Sequence, residues 1–257
     1  MTDRLFYRNI GLGPPLVILH GLFGASDNWM GIAKQLGDQF SVYLPDQRNH
    51  GQSFHHPIFN YEAMAEDLHA FVDMHELKEP IVVGHSMGGK VAMFYAQKYS
   101  NNLSKLVVVD IAPKAYPVHH QAILEGMNRI DLNLVKTRQD ADNQLATFVP
   151  DIGVRQFLLK NLSRSPVEGF KWKLNLPVIG EQIAQVGRPL SPDEVIDKPT
   201  LFLRGEVSGY IEDSDLALIE RQFPKAQLAS IPGAGHWVHA QKPQLFLEAL
   251  QTFITTS

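Results

Sequence analysis

Gly84-His85-Ser86-Met87-Gly88 is a G-x-S-x-G pentapeptide set between the apolar run Pro80-Ile81-Val82-Val83 and a helix-like run from Gly89 to Lys98. Glycines two residues to either side of a serine let the backbone reverse sharply from strand to helix, so that a strained turn holds the hydroxyl exposed at the strand tip. A serine hydroxyl is a weak nucleophile until a base stands beside it. Eleven histidines are available, and position singles out His236, in Gly233-Ala234-Gly235-His236-Trp237 after the strand-like run ending at Ile231. An imidazole titrates near neutrality and suits the task of general base. His20-Gly21-Leu22-Phe23-Gly24 follows another apolar run, Leu16 to Leu19. Its glycines let the backbone approach a substrate oxygen, and the N–H groups of Leu22 and of Met87, the residue after the serine, form the expected oxyanion hole. The Phe23 N–H is the alternative to that of Leu22. Each loop alone also reads as a plain strand-to-helix turn; their co-occurrence favours chemistry.

The other polar residues near these motifs read as structural. His85 flanks the serine with its side chain expected to point away, as packing, and His20 is expected buried beneath the oxyanion loop. His239, beside a helix start, reads as a surface residue. Asp46-Gln47-Arg48-Asn49-His50-Gly51-Gln52-Ser53 suits a tight turn closed by side-chain hydrogen bonds, so Asp46, Arg48 and Ser53 are expected to hold the loop.

These loops need a scaffold whose strand tips converge. Strand-like runs at Leu16 to Leu19, Val42 to Leu44, Ile81 to Val83 and Leu106 to Val109 alternate with helical runs at Trp29 to Leu36, Tyr61 to His75 and Lys90 to Tyr99. That rhythm predicts a parallel sheet covered by helices on both faces. In such sheets ligands bind beyond the carboxyl ends of the strands, where every motif above lies. From Pro117 to Gln185 the chain holds only helical-looking pieces, among them Ala122 to Ile130, Gln144 to Val149 and Val154 to Leu162. Strands resume at Leu201 to Leu203 and Gln227 to Ile231, and a helix from Pro243 to Phe253 closes the chain. The expected organisation is a core of residues 1–113 and 197–257 with a helical cap at 114–196.

Bulk properties exclude several function classes. The 257 residues carry 44% hydrophobic and 19% charged side chains and a net charge of −4, an ordinary globular balance with no basic footprint for nucleic acid. There is no cysteine, hence no disulfide, thiolate metal site or cysteine nucleophile. Met1-Thr2-Asp3-Arg4 lacks an apolar signal region and no run of membrane-spanning length occurs, so a cytoplasmic protein, monomer or homodimer, is expected. No metal-ligand spacing and no G-x-G-x-x-G fingerprint is present, so neither metal nor cofactor is expected.

HGLFG, DQRNHGQS, GHSMGG and GAGHW, in this order and spacing, resemble the α/β-hydrolase superfamily over essentially the whole chain. HGLFG, the short cap and Val109-Asp110-Ile111-Ala112-Pro113 are most similar to the small bacterial esterases of the YbfF type. The resemblance implies an α/β-hydrolase fold with a small helical cap after the sixth strand, and a Ser–acid–His triad in that chain order. Many members carry the acid three residues after a glycine that follows the strand Leu201 to Leu203. Here Gly205 is followed by Glu206, Val207 and Ser208, and a serine cannot supply the charge that stabilises an imidazolium. Asp110, ending the strand Leu106 to Val109, is the preferred acid, as in the YbfF-type esterases; its bland role would be to cap the Ile111-Ala112-Pro113 turn. Glu206, Glu212 and Asp213 are the alternatives, although Asp213 with Ser214 also suits a cap for the helix Leu216 to Gln222. Ser208 is expected as a supporting fourth member, bonded to Asp110 or His236.

A serine and a histidine so placed imply two-step acyl transfer on carboxylic esters or thioesters. A small-molecule acyl ester of short to medium chain, with acyl-CoA thioesters as a further class, is the expected substrate. Phe23, Trp237 and Tyr116 are the expected substrate contacts; Trp29, Phe148, Phe157, Phe170 and Trp172 are further aromatic candidates whose alternative is simple packing. His119, His120, Lys114, Lys136 and Arg138 would either meet an anionic substrate or form a solvated cap face. A hydrolase of carbon–carbon bonds, a lyase on a menaquinone precursor, a cofactor-free perhydrolase and a non-catalytic ligand receptor on the same fold remain the alternatives.

Overall fold

Runs of β-branched residues and leucine, too short for stable helices, become the centre of a seven-stranded sheet. The computed structural model describes residues 4–165 and 169–256. Strands β1 (Tyr7–Ile10), β2 (Pro15–Leu19), β3 (Ser41–Pro45), β4 (Ile81–His85) and β5 (Lys105–Val109) come first. A separate hairpin, β6 (Leu162–Ser165) and β7 (Gly169–Trp172), follows, and β8 (Thr200–Gly205) and β9 (Ala226–Ile231) return to the main sheet. The sheet order is β1-β3-β2-β4-β5-β8-β9, parallel throughout except for β1, which pairs antiparallel with β3.

Period-2 alternation sends side chains of each strand to two cores. Leu16, Ile18 and Val83 face α1 (Met30–Leu36), α9 (Val238–Gln241) and α10 (Pro243–Thr255). Val17, Leu19 and Val82 face α2 (Tyr61–Met74) and α3 (Met87–Lys98). Helix α2 starts where the Asn60 side chain accepts the Ala63 N–H at 2.9 Å, an N-cap that satisfies an otherwise orphaned donor. Its face of Met64, Leu68, Phe71 and Val72 is buried, as the helical spacing predicts.

Between β5 and β8 lie α4 (Gln121–Arg129), α5 (Arg138–Leu145), α6 (Ile152–Leu159), the hairpin and α7 (Leu176–Glu181), with α8 (Leu216–Gln222) beyond β8. Two expectations change here. The segment follows the fifth strand of the chain, not the sixth, and it is not purely helical: Leu162–Ser165 pairs antiparallel with Gly169–Trp172. Buried Met127, Leu158 and Ile179 of this segment join the same apolar cluster as α2 and α3.

Candidate active site

The turn from β4 into α3 sets Ser86 at φ 53°, ψ −118°, a left-handed conformation that costs a non-glycine residue free energy and recurs at functional sites. Glycine is required at 88 because backbone meets backbone there: a Cβ would fall 2.5 Å from the carbonyl oxygens of Leu19 and His20. The 20–24 loop also comes close, since a Cβ on Gly21 would stand 3.3 Å from that of Ser86.

The loop is held by two buried, neutral histidines. His20 donates from Nδ1 to the Gly21 carbonyl at 2.8 Å and accepts the Gln47 N–H at 3.0 Å. His50 donates from Nδ1 to the Arg48 carbonyl and accepts the Phe23 N–H at 3.2 Å; burial, then proximity to His20, pushes its pKa down to about 3. Of the two N–H groups left open by the sequence, that of Phe23 is thereby engaged. The N–H groups of Leu22 and Met87 have no hydrogen-bond acceptor among the described residues, and that of Met87 opens α3, where backbone donors are free. Asp46 accepts the N–H groups of Ser26 and Gln52, and Arg48 pairs with Asp67 at 2.5 Å. This charged loop is the framework expected of it.

His236 donates from Nδ1 to Oδ2 of Asp110 at 2.8 Å. Asp110 has no exposed surface, stands at φ 52°, and accepts two more hydrogen bonds: the Gly205 N–H at 2.9 Å on Oδ1 and the Ser208 hydroxyl at 2.5 Å on Oδ2. Three donors around one buried carboxylate compensate its lost hydration. The other carboxylates lie elsewhere. Glu206 accepts the Gly233 N–H, Asp213 pairs with Arg204 at 2.7 Å, and Glu212 and Asp215 cap the turn before α8. The helix cap expected of Asp213 and Ser214 therefore belongs to their neighbours.

Ser86 and His236 line one cavity of about 260 Å³. The Ser86 hydroxyl makes no hydrogen bond among the described residues; such serine–histidine contacts often tighten only when substrate binds. His85 is buried, donates from Nε2 to the His236 carbonyl at 2.8 Å, and is kept neutral by burial and by its histidine neighbours. His239 corrects the surface reading. It is buried, stacks on Trp29 at 3.9 Å between ring centroids, and its pKa falls to about 3 through burial, then through His236. Helix α9 turns it inward.

Phe23, Trp237, Trp29 and Phe157 line the cavity, and so do His119 and His120. Tyr116 lies outside it: its hydroxyl accepts the Ala112 N–H at 2.8 Å and donates to the Tyr210 carbonyl, and it borders a smaller neighbouring cavity. Phe148 packs on Gly126, while Phe170 and Trp172 pack into the core. Lys114 pairs with Asp215 at 2.7 Å, and Arg138 donates to carbonyls of the segment it belongs to. Tyr210 escaped the sequence reading. Its ring stacks on the His236 imidazole at 3.8 Å and 16°, and its hydroxyl bonds to His119 at 2.9 Å. No local motif announces it; its nearness to Ser208 was the available signal. Among the described residues, no group of three or more His, Cys, Asp or Glu could hold a metal ion, and no helix is long and apolar enough to cross a membrane.

Residues 14–243 match the profile of the alpha/beta hydrolase fold family. The chain is 39% identical over 250 residues to the sn-1-specific diacylglycerol lipase ABHD11 of Mus musculus, covering 94% of this chain and 81% of that protein. It is 38% identical over 242 residues to Esterase YbfF of Escherichia coli (strain K12), covering 93% and 92%. Among solved structures it is similar to a marine microorganism esterase, with a TM-score of 0.95, 43% identity, and coverage of 98% of this chain and 100% of that one. By these matches and by its sheet, the chain belongs to the alpha/beta hydrolase fold family.

Proposed function

We propose that this alpha/beta hydrolase, an ester-bond hydrolase, cleaves short- to medium-chain acyl esters through an acyl-enzyme on Ser86, and takes thioesters by the same route. His236, neutral, accepts the Ser86 proton as the hydroxyl attacks the carbonyl carbon. The buried Asp110 carboxylate fixes the tautomer through Nδ1 and stabilises the imidazolium. Charge on the carbonyl oxygen is met by the N–H groups of Leu22 and Met87. His236 then gives its proton to the leaving oxygen or sulfur, and a water activated by the same imidazole releases the acid. Ser208 supports the carboxylate as a donor. Cytoplasmic residence belongs to the same reading and rests on the cysteine-free composition.

The observation that carries the reading is the 2.8 Å contact between His236 and the buried Asp110 in a loop that shares its cavity with Ser86. A fluorophosphonate should label wild type and not Ser86→Ala. Turnover of p-nitrophenyl esters should fall about ten-thousand-fold in Asp110→Asn, the loss usual when the orienting carboxylate of a triad becomes an amide, and stay near wild type in Asp213→Asn. Absent labelling, or an inactive Asp213→Asn beside an active Asp110→Asn, would refute it.

A further inference from the structure

Two cavities meet at Ser86, and they are unequal. The larger holds the His236 side of the serine, with Trp237 and Phe157. The smaller, about 30 Å³, lies beside Ser86 against Leu22, Met87, Ile111, Tyr61, Ile183 and Val186, and His236 does not border it. Tyr210, His119 and His120 stand between them, lining both.

The tetrahedral intermediate fixes how a substrate must divide between them. Its carbon carries four groups. One is the Ser86 oxygen. The negative oxygen turns to the N–H groups of Leu22 and Met87. The leaving atom must lie within reach of His236, which supplies its proton, and that places the alcohol or thiol part in the larger cavity. The remaining group, the acyl chain, is directed to the smaller one, whose walls include Leu22 and Met87.

We infer that the small cavity is the acyl pocket, so that the enzyme selects esters of a very small acyl group, of acetyl or propionyl size, joined to a bulky apolar alcohol. This narrows the acyl range of the proposed function to its short end and rests on that reading's acyl-enzyme chemistry. A volume of about 30 Å³ accommodates roughly two or three water-sized groups. The walls are set. Tyr61 is 1% exposed, donates its hydroxyl to the Val186 carbonyl at 2.6 Å and stacks on Phe94. Met87 and Ile111 are likewise buried in the core. Close-packed walls do not swell to admit further methylenes. Ile183 and Val186, partly buried in the short helix Ile183–Gly187, form the side that truncation can open.

The test is kcat/KM across p-nitrophenyl esters from acetate to octanoate, beside acetates of alcohols from methyl to naphthyl. Wild type should lose at least about tenfold per methylene once the pocket is full, while naphthyl acetate remains a good substrate. Val186→Ala and Ile183→Ala should each move the acyl limit to longer chains, and Phe157→Ala should alter the alcohol series alone. Rates that are flat or rising toward octanoate in wild type, or an acyl limit moved by Phe157→Ala but by neither truncation, would overturn the assignment while leaving a working esterase. Failure of both hydrolysis and fluorophosphonate labelling would instead remove the underlying reading, and the assignment with it.

Discussion

At the scale of single residues, the site concentrates its cost on backbone and charge. Ser86, Asp110 and Phe23 are three non-glycine residues with positive φ, all at this site. The carboxylate of Asp110 is tolerable in a dry interior only because His236, Ser208 and Gly205 donate to it. Removing one donor, in Ser208→Ala, should lower kcat roughly ten- to hundredfold, the worth of a hydrogen bond to a charged group, with KM little changed. Steady-state kinetics checks this, and wild-type kcat in Ser208→Ala would show the hydroxyl to be idle. The placement of Ser86, of His236 and of the 20–24 loop around one cavity was legible because glycine spacing and strand context point to them. Asp110 was legible only against the missing carboxylate at 208. Tyr210 and the burial of His239 were not, since a ring that stacks on a distant imidazole or indole leaves no periodic trace in the chain.

Among elements, α3 does more than carry Ser86, the proposed nucleophile, at its start. Its Lys90 is fully buried and donates to the carbonyls of Lys114 at 2.6 Å and Arg188 at 3.0 Å. Backbone bonds join the same two stretches, Tyr116 to Gly187 and Leu190 to Pro113, each at 2.8 Å. Both roots of the segment between β5 and β8 are thus clasped at one amine. Burial, then the charge of Lys114, lowers the Lys90 pKa from the ordinary 10.5 to about 7. Between those values the folded protein holds fewer protons than the unfolded chain, so this residue's contribution to stability rises as pH climbs through the window. Urea unfolding at pH 7 and pH 9 should show wild type gaining on Lys90→Met; equal gains would contradict it. Element types were readable where side chains are strongly apolar. Strand β1 and the hairpin were missed because Tyr-Arg-Asn-Ile and Leu-Ser-Arg-Ser are short, half-polar and at edges. Helix α5 was misplaced toward Gln144 to Val149, although Thr137 and Asp140 form a reciprocal cap at its true start.

For the whole molecule, two apolar layers flank one sheet, and the layer on the α2–α3 side runs without a break into the segment between β5 and β8. A segment that shares its buried side chains with the core has no separate interior to melt. Tryptophan fluorescence and far-ultraviolet circular dichroism should therefore follow one coincident urea transition; two resolved transitions would contradict a common core. The parallel arrangement was readable from alternating strand and helix patterns, whereas sheet order was not, because pairing depends on contacts far apart in the chain.

The turn after β5 holds the acid at Asp110 and, at Pro113, the first backbone tie to Leu190. Between them the Ala112 N–H is fastened to Tyr116. Added length on this entering side would shift Asp110 away from its 2.8 Å contact with His236. Residues 191–195 on the departing side are all exposed. Insertions into the segment between β5 and β8 are therefore expected to be tolerated on this departing stem and not on the one that carries Asp110.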